Sequence, residues 1–515
     1  MSQLTTTPGT LRTEAIAEDG EKKTIVSRWV DAITSEVAKG HVQTTDGLIG
    51  PTISARLYSM VGAAAHQAWS VGSNISQNLV PSDSNNTFIE NLISATILKV
   101  ALGNSGMTAE GLQNLKEFAN EIRSAKPSSR LKIHHLSTAI AQSINRDYDN
   151  DGYDAPNQYS PTNSLENIID LEQWTPEFNA SDLQSSGIQS YLTPHWGQVT
   201  PAGISRQELS GLTASSGAPE PFLLNRDDSY DLITGTLTDQ STGATLKITP
   251  SLIGTHINPG FIDQANQVIA YSQGLTDTTQ GQHNKATAEF WEDGDGTPFP
   301  PGTWLVIGQA LSLEQGFSLE MDAKLFEGLG ASMHAAAISA WDRKLQDNYA
   351  RPIRTIRELS KLGLLTDDDA KTPGSQFRAF NRTSGEIDLI SGVDFETYQL
   401  PHGGYSPPFA EFTSGHSTFS AAAAEFLTRF ADSNAFPWDI EMQLTFPFPN
   451  GEGEPVTLSY DSLQDAAEAA GESRLHGGIH FEDGNNNGLL IGRQIGACIF
   501  DHFATEWALQ LDAEV

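Results

Sequence analysis

Between Ser318 and Tyr349 the apolar residues Leu325, Phe326, Leu329, Met333, Ala336, Ala337 and Trp341 recur at helical spacing. This reads as one long helix with a broad face to bury. Such a helix cannot cover itself and needs partner helices. The chain supplies them. GPTISARLYSMVGAAAHQAW (50–69) opens with Pro51 in its first turn and continues in Ala, Leu and Met, good helix formers behind a favoured start. Helical spacing begins at Thr24, and Phe88–Leu102, Thr108–Ser124 and Arg130–Asn145 predict three more helices joined by short loops, hence antiparallel neighbours. Residues 355–364, Asp461–Gly471 and Gly488–Leu511 read the same way. The fold class expected is mainly α, with helical bundles on either side of a less regular middle.

In chain order the expectation is a polar, disordered tail (1–22), an N-terminal helical region (23–150), an irregular connecting region (151–288) and a C-terminal helical bundle (289–515). Within the connecting region LITGTLTDQSTGATLKITP (232–250) alternates and turns near Ser241-Thr242-Gly243, which predicts a small β-hairpin insertion. Loops rich in Gly and Pro are expected to run up to Ser414.

Charge narrows the partners. A net charge of −34 opposes binding to nucleic acid or to an anionic membrane. No apolar run approaches the ~18 residues of a membrane span. The N-terminus has no apolar core of a Sec-type signal. A soluble protein is expected, its compartment unknown and a homo-oligomer left open. The only cysteine, Cys498, lies in IGACIF and reads as buried packing, and no intrachain disulfide can form. Asp147, Asp149 and Asp151, followed by Gly152, resemble the start of a calcium loop, but Gln158 stands where a bidentate Glu belongs. An acidic turn is the competing reading. The DGDG at 293–296 reads as a tight turn or a cation loop.

Three short stretches bring positive charge and glycine together in this acidic chain. In PPFAEFTSGHSTFSAAAAE (407–425) an extended Pro-Pro segment feeds a helix, so Ser414, Gly415 and His416 stand at a helix N-terminus, where free amides and the dipole favour an anion. Lys344 and Arg351 are seven apart, nearly two helical turns, and are expected to point the same way, with Pro352 ending or bending the helix. Arg474 and His480 flank Gly477-Gly478. Together, two arginines, a lysine, a Ser-Gly pair and two histidines suit a tetrahedral oxyanion such as phosphate or vanadate.

KLQDNYARP, TSGH and SRLHGGIH, in that order, resemble the K-x6-RP, (P)SGH and SR-x5-H signature shared by vanadium-dependent haloperoxidases and type-2 phosphatidic acid phosphatases. Trp341, Phe409, FWEDGDGTPFPPGTW, the 50–69 helix and GGIHF resemble the bacterial haloperoxidase branch. The resemblance covers roughly 45–150 and 285–505. It implies helical bundles of the vanadium haloperoxidase and acid phosphatase type, with vanadate as cofactor held by Lys344, Arg351, Ser414, Gly415, Arg474 and His480. His480 would be the ligand to the metal. His416 would be the acid–base residue toward hydrogen peroxide, Lys344 would polarise the oxidant, and Trp341 and Phe409 would line the halide pocket. Hydrogen peroxide, a halide (iodide or bromide first) and small organic acceptors are the implied substrates. Asp342 is a candidate to orient His416. Two departures stand out. Thr413 replaces proline before SGH, and Gly484 occupies the position, four after the last histidine, where an acidic residue often stands, with Asp483 one earlier. A soluble acid phosphatase using the same pocket, with His416 and His480 as general acid and nucleophile, is the alternative. A non-catalytic anion- or calcium-binding protein is a more remote one.

Overall fold

The computed structural model describes residues 4–6, 23–44, 47, 49–77, 83–103, 105–122, 129–178, 187–365, 376–400, 404–445 and 454–512. Among them are fourteen α-helices: α1 (Ile25–Ala38), α2 (Pro51–Gln77), α3 (Asp83–Ala101), α4 (Ala109–Glu121), α5 (Arg130–Tyr148), α6 (Arg206–Thr213), α7 (Pro259–Gln273), α8 (Thr279–Phe290), α9 (Phe299–Gln315), α10 (Leu319–Asp347), α11 (Pro352–Lys361), α12 (Gly415–Ala431), α13 (Leu463–His476) and α14 (Glu482–Asp512). The mainly helical reading holds. Hydroxyl caps start many of these helices: Thr24, Thr108, Ser205, Thr278, Ser318, Ser414 and Ser462 each accept a first-turn N–H.

The sheets are small. Strands β2 (Ser229–Asp231), β3 (Thr236–Asp239) and β4 (Ala244–Lys247) form an antiparallel sheet with Leu237 opposite Leu246, which contains the expected hairpin and one strand more. β5 (Gln376–Asn381) and β6 (Glu386–Ser391) pair antiparallel where only loop was expected. Strand β7 (Ile440–Met442) pairs antiparallel with β8 (Val456–Leu458) and parallel with β1 (Leu4–Thr6). Beyond β1, the N-terminal tail lies outside the described residues. The connecting stretch carries more helix than its Gly, Ser and Thr content suggested, in α6, α7 and α8.

One core joins the two ends of the chain. Trp29, Tyr58 and Ile97 belong to the same buried cluster as Trp304, Phe326, Trp341, Phe426 and Ile495. Close backbone approach makes this possible. A Cβ on Gly62 of α2 would fall 2.1 Å from the Phe326 carbonyl oxygen, and one on Gly330 of α10 would fall 2.7 Å from that of Tyr58. The packing of α12 on α14 is the same in kind. Cβ atoms on Gly488, Gly492 and Gly496 would fall 2.7, 2.4 and 2.3 Å from the carbonyl oxygens of Ser414, Thr418 and Ala422. A second core, with Phe222, Phe261, Ile353, Phe377, Phe412 and Phe481, lies under the small sheets.

Asp151 is buried. Its Oδ2 accepts from Arg56 Nε at 2.6 Å and its Oδ1 from Tyr153 N at 3.0 Å. Asp147 lines a surface groove and Asp149 caps α5, so among the described residues the three aspartates are not gathered into one cation-binding group.

His334 of α10 is fully buried, neither ring nitrogen has a hydrogen-bond partner among the described residues, and the ring stacks on Tyr148. Burial, and after it Arg56, pushes its pKa down to about 3. The unfolded chain takes up this proton below ~6.5, the folded chain only near 3. Within that window the unfolded state binds more protons, so stability falls as pH drops. His334→Phe is expected to shrink the fall in urea midpoint between pH 7 and pH 5. An unchanged fall would mean that the ring is solvated.

Candidate active site

The three motif stretches meet at the N-terminus of α12. Ser414 is its N-cap, with Oγ taking the Ser417 N–H at 3.3 Å and lying 2.7 Å from Ser417 Oγ. The Ser414 N–H donates to the Gly484 carbonyl at 2.9 Å, which ties the start of α12 to α14. Lys344 and Arg351 converge, but not by sharing a helix. α10 ends at Asp347 because Asn348 adopts the left-handed conformation (φ 46°). Arg351 is the residue before α11. What brings the two side chains together is the segment 409–411. Lys344 Nζ donates to the carbonyls of Ala410 and Glu411, both at 2.9 Å, and Arg351 Nε donates to that of Phe409 at 2.9 Å.

The two histidines are held in defined tautomers. Arg351 Nη1 donates to His480 Nε2 at 3.0 Å. A guanidinium only donates, so Nε2 carries the lone pair and Nδ1 the proton. Nδ1 in turn donates to Glu411 Oε1 at 2.6 Å. His416 Nε2 donates to the Glu292 carbonyl at 3.1 Å, which leaves Nδ1 as its basic nitrogen. The same carbonyl accepts from Arg474 Nη1 at 3.1 Å, and the Trp291 carbonyl accepts from it at 3.0 Å. Asp342 does not reach His416. Its Oδ2 accepts from Gln346 at 2.8 Å and its backbone packs against Gly197.

Two carboxylates in the site escaped the sequence reading. Glu411, fully buried, orients His480 in place of the missing acidic residue at 484. A Cβ on Gly484 would fall 2.1 Å from Glu411 Oε1, so the glycine clears the space the glutamate fills. The available signal was an acidic residue three before Ser414 in an otherwise apolar run. Asp293 is the second. It lines the cavity beside Arg474, with Oδ1 accepting from Thr303 at 2.7 Å and Oδ2 without a partner among the described residues. The DGDG stretch is therefore no simple turn, because its first aspartate is an internal residue.

Burial dominates the electrostatics. It pushes Lys344 well below the usual lysine range, with Arg351 adding to the effect. It lowers Arg351 and Arg474. It raises Glu411 to about 7 against the pull of Arg351 and Lys344, and Asp293 to about 7 against the Thr303 bond and Arg474. His416 and His480 are held well below the usual histidine value by burial first and then by Arg474 and Arg351 respectively. Each shift reduces buried charge. Two buried donors, Arg351 Nη2 and Arg474 Nε, still have no partner among the described residues. A multiply charged anion answers both facts, since it pairs with the three cations and accepts from the orphaned donors.

The cavity is about 20 Å³, room for a small ion or a water or two but not for an organic substrate. Gly415, His416, Arg474 and His480 line it together with Trp341 and Phe409. Those two rings lie 4.8 Å apart, centroid to centroid, and Lys344 Nζ is 5.1 Å from the Phe409 ring centre.

Residues 324–508 match the family model of the VCPO second helical-bundle domain. The match runs from within α10 to near the end of α14. Over about nine-tenths of its length the chain has the fold of solved bacterial vanadium haloperoxidases. A holo vanadium-dependent chloroperoxidase superposes with a TM-score of 0.66 at 15% identity, over 89% of this chain and 93% of that one. An apo form gives 0.65 at 15%, over 90% and 97%. The first bacterial vanadium-dependent iodoperoxidase gives 0.59 at 15%, over 92% and 94%. No curated protein matches the chain in sequence. No helix among the described residues is long and apolar enough to cross a membrane.

Proposed function

We propose that this chain is a vanadate-dependent haloperoxidase, with its site in the C-terminal bundle (289–515), and that it oxidises iodide and bromide: H2O2 + X− + H+ → HOX + H2O. The observation that carries this is the small cavity lined by Gly415, His416, Arg474 and His480, with Arg351 on the Nε2 lone pair of His480 and Lys344 buried against the Phe409 ring that lines it. A phosphate site also needs the cations. The preset Nε2, its other nitrogen fixed by a buried carboxylate, is the arrangement of a metal-ligating imidazole.

Vanadate held there supplies a Lewis acid that activates hydrogen peroxide toward two-electron oxidation of halide. The residues do the rest. Lys344, Arg351 and Arg474 balance the negative charge, and Ser414 and the Gly415 amide add hydrogen bonds at the positive end of α12. His480 Nε2, the lone-pair nitrogen that now accepts from Arg351 Nη1, would be the ligand atom. His416, neutral at pH 7, takes the proton of hydrogen peroxide at Nδ1. Lys344 polarises the oxidant and so favours attack by halide. Trp341 and Phe409 flank the halide path. The small cavity keeps organic acceptors outside, where they meet the hypohalous acid.

The test is a paired assay on one preparation stripped of vanadate: iodide and bromide oxidation after adding vanadate, and hydrolysis of an activated phosphate ester without it. Strong oxidation and weak hydrolysis are expected. Strong hydrolysis with no vanadate-stimulated oxidation would make the chain an acid phosphatase. In the same assay His416→Ala is expected to lose roughly 10²–10⁴-fold in kcat. Its vanadate affinity should fall by no more than one charge-assisted hydrogen bond, about 1.5–3 kcal/mol. Proportionate loss of both would make His416 a structural residue.

A further inference from the structure

The sequence reading placed Cys498 in the packed interior. The structure leaves it half-buried, on the face of α14 toward α6. Its Sγ lies 3.3 Å from Glu208 Oε1, and the other oxygen of that carboxylate lies 3.0 Å from His502 Nε2. Cys498 and His502 are four apart on α14 and so share one face. Glu208 comes from the first turn of α6, where Ser205 already caps the helix and holds the Glu208 N–H. Ligand atoms of all three residues lie within 4.8 Å of one another.

We propose that Glu208, Cys498 and His502 form a second metal site, for a tetrahedral divalent transition ion of the zinc type, unconnected with the vanadate pocket. Three chemically different ligands converge from two helices. With bonds of about 2.0–2.3 Å, a tetrahedral ion sets its ligands ~3.3–3.7 Å apart. The two Glu208 contacts, at 3.3 and 3.0 Å, are near that spacing, and the full set, within 4.8 Å, closes on an ion by side-chain rotation. Thiolate and imidazole select zinc, cobalt or copper over calcium and magnesium. Water fills the fourth position, because Glu208 and His502 are open to solvent. The Cys498 thiol donates to Glu208. When the ion binds, that proton leaves to solvent and the sulfur bonds as thiolate. The ion then clips α6, from the connecting stretch, onto the last helix.

The experiment uses the full-length protein dialysed against a chelator and then titrated with Zn2+ or Co2+. One ion per chain is expected, with the thiolate-to-cobalt charge-transfer band in the near ultraviolet and the visible bands of tetrahedral cobalt. Zn2+ should raise the melting temperature. It should also slow labelling of the Cys498 thiol by roughly tenfold or more, since a metal-bound sulfur is a poor nucleophile. Cys498→Ser and His502→Ala should lose the cobalt bands and the thermal shift while keeping vanadate-dependent activity. Labelling that is indifferent to Zn2+ in the wild-type protein, or cobalt spectra unchanged in Cys498→Ser, would overturn the proposal.

Discussion

Replacing His480 by alanine is expected to abolish vanadate-dependent halide oxidation, a loss larger than that of any single donor in the pocket. The pocket contains many groups that can donate to an oxyanion, and on the proposed reading one imidazole nitrogen is set to bond to the metal. Lys344, Arg351 and Arg474 are cations with no lone pair to offer. His416 already gives Nε2 to the Glu292 carbonyl, and its remaining nitrogen is the base. His480 Nε2 is set as an acceptor by Arg351 on one side and by Glu411 through Nδ1 on the other. The variant should still bind phosphate or free vanadate weakly, through charge alone. The check is iodide oxidation after dialysis against vanadate, with equilibrium dialysis of vanadate alongside. Full activity in the variant would show that the metal is held elsewhere.

Gly484→Asp is expected to be severely destabilising, although it installs the residue that the signature often carries at that position. The new Cβ would fall 2.1 Å from Glu411 Oε1. The new carboxylate would be buried beside another that burial has already raised to about 7. Overpacking costs about 1–3 kcal/mol, and an uncompensated buried charge about 3–5 kcal/mol. Together these approach the stability of a whole domain. Glu411→Ala in the same chain should restore much of the loss, because the aspartate then inherits both the space and the His480 Nδ1–H. Urea unfolding of the two single variants and the double variant measures the coupling. Additive effects would show that Glu411 and Gly484 do not compete for one place.

That exchange also shows what the sequence could and could not disclose. The motif stretches name the cationic and imidazole groups that the fold brings together, because such groups are local to a few residues. Glu411 and Asp293 were not legible as partners, since each acts across the fold: Glu411 on a histidine 69 positions away, Asp293 beside Arg474. The convergence of Lys344 and Arg351 was expected for the wrong reason. Helical spacing suggested a shared face, whereas the chain turns at Asn348 and shared carbonyls at 409–411 gather the side chains. The long helices were readable because their buried faces are broad. α8 was not, because TQGQHNKATAEF is polar and its buried positions include Gly281, Lys285, Thr287 and Glu289. α7 did carry a start signal, Asn258 as cap with Pro259 behind it, and β5 shows the alternation of a strand in QFRAFN. Both are outweighed by the Gly, Ser and Pro content around them.

The four-residue glycine rhythm of α14 has a consequence for alignment. Gly488, Gly492 and Gly496 meet carbonyls that are themselves four apart on and just before α12. A slide by four residues, about 6 Å, sets glycines against carbonyls again, so backbone fit alone discriminates weakly between the two alignments. The polar contacts at the end of the stair are not. Ser414 N to the Gly484 carbonyl, Ser417 Oγ to Asn485 at 2.7 Å, and Glu411 to His480 can all form only in one alignment. The groups that build the pocket are therefore also the detent that stops one helix from ratcheting along the other.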